Sequence, residues 1–180
     1  MKRVMTTREL VFLSICIVLS LVSKRLVSPF TNLITDFVRL PGGGAATAFS
    51  IMFLVIGCSR ISWSFAGTMA TFLQGMLAIF LGMSGYQGAM IVFTYTFPGI
   101  VIDLIRAIVP HRGYAYHLIV CSAANTAAAL ISNLLVFHLK STAFLLWILI
   151  AMWFGVIAGF LGGEVDRRLF FENKKGVYFK

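Results

Sequence analysis

The chain has 180 residues, 59% hydrophobic and 12% charged, with a mean hydropathy of +0.94. Soluble domains carry about 25% charged residues, so the composition excludes an ordinary soluble protein and predicts an all-α integral membrane protein. The net charge of +9 is read as membrane topology rather than nucleic-acid binding.

A spanning helix needs about 20 apolar residues, so six spans with short loops fill the length as one domain, 1–180. The first apolar run, 10–22, follows Lys2, Arg3 and Arg8 in the manner of a signal peptide. Ser23-Lys24-Arg25 stands where a small-residue cleavage site would be, which predicts a retained first helix over 7–27. The stretch 28–44, SPFTNLITDFVRLPGGG, then combines prolines, three glycines, Asp36 and Arg39 with several apolar residues. It is expected to be a structured, half-buried outer loop folded over the helices, because irregular backbone at membrane depth needs protein cover.

Further spans are expected over 45–59, 61–82, 89–109, 114–137 and 142–163, followed by a charged tail. The second is short for a bilayer, so part of the loop before it should reach membrane depth. With a cytoplasmic N-terminus, eleven of the fifteen Lys and Arg fall inside, leaving Lys24, Arg25, Arg39 and Lys140 outside. This bias predicts six helices with both termini cytoplasmic. In the sixth helix Ala151, Gly155, Gly159 and Gly163 recur every four residues, a stripe that permits close helix approach.

Polar residues within spans are costly and should face the bundle interior. Gln74, Tyr95, Asn125, Asn133 and Trp147 fall in or near the outer half, beside the 28–44 loop (Asn32, Asp36, Arg39) and the tight loop holding Tyr86 and Gln87. Together they suggest a binding pocket for a small, planar, polar-edged ligand. The plainer readings stand beside it. Asp36 and Arg39 could pair with each other, the amides could join helices, and Trp147 could belong to an interfacial belt. Asp103 and Arg106 read as an i,i+3 ion pair. Cys16, Cys58 and Cys121 are widely spaced and the three histidines dispersed, so no metal or cofactor is expected. No P-loop, H-E-x-x-H or G-x-S-x-G occurs, so no catalytic residue is assigned and the chain is not expected to be an enzyme.

The layout resembles the substrate-binding S components of energy-coupling factor (ECF) ABC importers for vitamins. The resemblance rests on six helices in a chain of this size and a long first outer loop. It rests also on Leu40-Pro41-Gly42-Gly43-Gly44…Phe49 entering the second helix, and on Gly67…Gln74-Gly75 in the third. A glycine-rich third-to-fourth loop and Ala158-Gly159-Phe160-Leu161-Gly162-Gly163 before a basic tail complete it. The resemblance implies a prokaryotic plasma-membrane subunit that captures a vitamin-like molecule outside. It would then dock on a transmembrane coupling subunit carrying two cytoplasmic ATPases. The third-to-fourth loop is similar to the branch for thiamine or its pyrimidine precursor, although carriers of other vitamins share the fold. Many members dock through alanines on the first helix; this one has none, and Ser14 and Ser20 are the small residues there. The main alternative is a stand-alone secondary transporter, which would need a coupling-ion site where intramembrane acids are scarce.

Overall fold

The computed structural model describes residues 6–38, 44–83, 85–109 and 113–170. Six α-helices follow in order: α1 (Thr7–Val38), α2 (Gly44–Ser59), α3 (Ala66–Phe80), α4 (Ile91–Ile108), α5 (Tyr114–Ser132) and α6 (Ser141–Phe170). A 3₁₀ turn, Gly85–Met90, leads into α4, and a π-helical turn, Asn133–Phe137, ends α5. The helical regions that contain α1, α4, α5 and α6 are each long and apolar enough to cross a membrane; α2 and α3 are apolar but shorter. The protein is therefore a helical membrane protein.

α2 is the central element. It is hydrophobic on all sides, with no charged residue, and Ala46, Ala48, Leu54, Val55 and Cys58 are fully buried. A helix apolar all round belongs in the middle of a bundle. It packs against α1, α5 and α6, and its core is completed by Leu13, Ile17, Ile102, Tyr116 and Val120. The outer helices turn their large apolar side chains away from this core. Val11, Ile15 and Val18 on α1, Phe93 on α4, and Leu149 and Trp153 on α6 are exposed, as a lipid-facing surface requires.

Glycines set two of the helix crossings. A Cβ at Gly155 would stand 2.7 Å from the Ser122 backbone, and one at Gly159 would stand 2.6 Å from the His117 carbonyl. The small-residue stripe of α6 thus packs against α5 within the bundle. Across the α3–α4 pair, a Cβ at Gly99 would meet the Gly67 carbonyl at 2.6 Å.

Three boundaries differ from the sequence reading. Residues 28–38, expected as irregular cover, continue α1 as helix with Pro29 inside it. The α2–α3 connection is longer than expected, because α3 starts at Ala66 rather than at 61. α6 continues seven residues beyond 163, where Glu164 bonds Arg167 and Arg168 one turn ahead.

Candidate functional site

Charged side chains gather at one end of the bundle and hold the α2–α3 connection there. Arg60 donates to Asp166 of α6 at 2.6 Å, and His117 Nε2 of α5 lies 3.5 Å from the same carboxylate. Asp103 accepts from the backbone N–H of Gly67 and Thr68 at 2.8 and 2.7 Å. It thereby caps α3, where the helix dipole favours an anion. The expected Asp103–Arg106 pair is present at 3.5 Å, but Arg106 is also spent on the carbonyls of Ile61 and Trp63. Glu9 at the start of α1 reaches Ser62. Both the beginning of α1 and the end of α6 therefore lie at this end.

Halfway along the bundle a second polar layer joins three helices. Ser20 and Ser50 hydroxyls are 2.6 Å apart, and Gln74 Nε2 donates to both, at 2.7 and 2.8 Å. All three residues are buried. Gln74, expected in the pocket, spends this amide nitrogen on helix–helix bonding. Ser20, expected to dock a partner, is inaccessible for the same reason. Ser14 is exposed, its hydroxyl bonded back to the Leu10 carbonyl.

The third layer surrounds the start of α2. Asn125 Nδ2 donates to the carbonyls of Ala151 and Gly44, at 2.6 and 3.2 Å. These two bonds fix which end of the amide is nitrogen. Its Oδ1 is buried with no partner. Trp147 is 3% exposed, and its indole N–H is likewise buried and unpartnered. The indole nitrogen lies 3.6 Å from where a Cβ on Gly44 would be. Phe137 packs edge-on against the same ring, with centroids 5.2 Å apart.

The depth of this layer follows from helix geometry. At a rise of about 1.5 Å per residue, Ala151 lies about 15 Å below the start of α6, and Asn125 about 18 Å below Phe137. Gly44 is hydrogen-bonded into that level. Gly44, the first described residue of α2, thus lies at a depth that α5 and α6 continue past. Asn125 Oδ1 and the Trp147 indole N–H therefore bring one unspent acceptor and one unspent donor close to Gly44.

The other expected site residues are dispersed. Asn133 Oδ1 accepts from the Leu139 N–H at 2.8 Å, closing the turn after α5 rather than facing Trp147. Its carbonyl accepts from His138, which adopts φ 48°. Tyr95 lies under the Lys24 ammonium, 4.1 Å from the ring centroid. Asn32 is exposed on α1. Asp36 is in the last turn of α1, and Tyr86 and Gln87 are in the 3₁₀ turn, but their side chains lie outside the described residues, as does all of Arg39. Sequence reasoning missed the Arg60–Asp166–His117 network, which no spacing announces. The second helix, expected from 45 and short for a bilayer, is described from Gly44, one residue earlier.

Searches for a matching family model, a similar curated protein and a similar solved structure each return no match.

Proposed function

We propose that the protein is the substrate-binding S component of an ECF-type importer. It captures a small vitamin or vitamin precursor at the outer face of the plasma membrane, with thiamine or its pyrimidine precursor the favoured class. A transmembrane coupling subunit with two cytoplasmic ATPases would drive release inside, and the chain itself would carry no catalytic step. In this reading both termini are cytoplasmic, and the Ser14 face of α1 is the surface offered to the coupling subunit.

The observation that carries the reading is the pair of buried, unpartnered polar atoms beside Gly44, Asn125 Oδ1 and the Trp147 indole nitrogen. A buried polar group without a partner is costly, and a ligand can supply the partner. The competing reading, a secondary transporter, needs an ionisable group near mid-membrane for ion coupling. Among the described side chains, Glu9, Asp103, Glu164 and Asp166 all lie toward the opposite end of the bundle from Trp147.

The test is native mass spectrometry of the detergent-purified protein, paired with uptake assays with and without the ATPase partners. A bound vitamin-sized molecule and ATPase-dependent uptake are expected. Uptake that persists without the ATPases would overturn the reading in favour of the secondary transporter.

A further inference from the structure

We infer that a groove between α4 and α5 seats one acyl chain of a bilayer lipid as a bound ligand. The groove shares no lining residue with the Asn125–Trp147 layer and does not depend on the importer reading. It encloses about 430 Å³. Phe93, Phe97 and Ile100 line it from α4 at helical spacing, and Ile131 and Leu135 line it from α5 and its π-helical turn. Phe93, Phe97, Ile100 and Leu135 are exposed, so the groove opens on the lipid-facing surface. Thr96 is the one polar residue of the lining, and its hydroxyl is spent on the Val92 carbonyl at 2.7 Å. The walls therefore offer no unspent hydroxyl, amide or charge. An apolar space of this kind stays dry and takes apolar matter.

The dimensions select the occupant. The lining runs from Met90 to Ile100, about 15 Å along the helix at about 1.5 Å per residue. That is the depth of one leaflet, half of a hydrocarbon core about 30 Å thick. Met90 and Leu135 lie toward the end of the bundle opposite Asp103, so the groove belongs to the leaflet on that side. A volume of 430 Å³ spread over that length gives a channel about 5 Å across. A helix with its side chains is about 10–12 Å wide and does not fit. A single file of methylenes does, since carbons pack at about 4 Å. Within a bilayer, contact with the walls rather than escape from water would hold the chain.

The experiment is native mass spectrometry of the full chain released from nanodiscs of palmitoyl-oleoyl phosphatidylglycerol. One phospholipid per protein is expected to survive activation that strips all others. Leu135→Trp thickens the groove wall and should lose that lipid. Leu134→Trp adds the same indole at the next position, which is 63% exposed and outside the lining, and should keep it. Melting temperatures show whether each variant folds. Where Leu135→Trp does not fold, Ile100→Phe narrows the groove from α4 and decides in its place. Equal retention by the groove variant and Leu134→Trp overturns the inference, as does a wild-type monomer that keeps no lipid. A lipid-free dimer overturns it by making a second copy of the chain the occupant.

Discussion

Gln74 and Asn125 are both buried amides on neighbouring depths of one bundle, yet their consequences differ. Gln74 Nε2 meets two hydroxyls that also meet each other, so the triad holds α1, α2 and α3 together. Interhelical hydrogen bonds in membranes average about 0.6 kcal/mol. Gln74→Met, which roughly preserves volume, should therefore destabilise by about 1 kcal/mol, read as a lower melting temperature in detergent. Ligand affinity should not change, and a large loss of affinity would return Gln74 to the site. Asn133→Ala removes the acceptor for Leu139 and should loosen the turn after α5, again without a direct effect on binding. Composition and hydropathy identified these amides as inward-facing. They could not say which partners each would meet, because that depends on the relative depth of helices distant in sequence.

At the level of helices, the apolar runs were legible and their ends were not. Residues 28–38 carry Pro29, Asn32 and Asp36, which argued against helix, yet α1 continues through them. Pro29, Phe30, Asn32 and Leu33 are exposed there. The third helix starts late because Asp103 fixes its first N–H groups at Gly67 and Thr68, an interaction reaching across 36 residues for Gly67. Asp103→Asn should remove the charge that caps α3 and balances the buried Arg106 guanidinium. Breaking a buried pair by removing one partner costs about 3–5 kcal/mol, so this variant should melt far lower or fail to accumulate. The α6 stripe, legible as a packing motif, has its partner in α5. Gly159→Ala would drive a methyl into the Leu118 and His117 backbone at 2.7 and 2.6 Å, and overpacking of this kind costs about 1–3 kcal/mol. Gly162→Ala meets side chains rather than backbone, Met52 at 2.9 Å and His117 Nδ1 at 3.8 Å. The first should lower the melting temperature markedly more than the second, and equal effects would show that the α5–α6 crossing can open.

For the whole molecule, the two ends are chemically different, and that difference makes the orientation testable. One end gathers Glu9, Arg60, Asp103, Arg106, His117 and Asp166 into bonds that fix the α2–α3 connection and both helical termini. The other end holds the Asn125–Trp147 layer, with His138 and Lys140 in the turn between α5 and α6. The positive-inside bias read from the sequence would put the first end in the cytoplasm, and a capture site must face the opposite way. Ser64 is exposed in the α2–α3 connection and Ser141 is exposed at the start of α6, so each can report one side. Cys16, Cys58 and Cys121 are all buried, which keeps background labelling low. In intact cells a membrane-impermeant maleimide should label Ser141→Cys and leave Ser64→Cys unmodified until the membrane is permeabilised. The reverse pattern would place the Asn125–Trp147 layer toward the cytoplasm. Capture from outside would then be impossible through this site, however well the isolated protein bound a ligand.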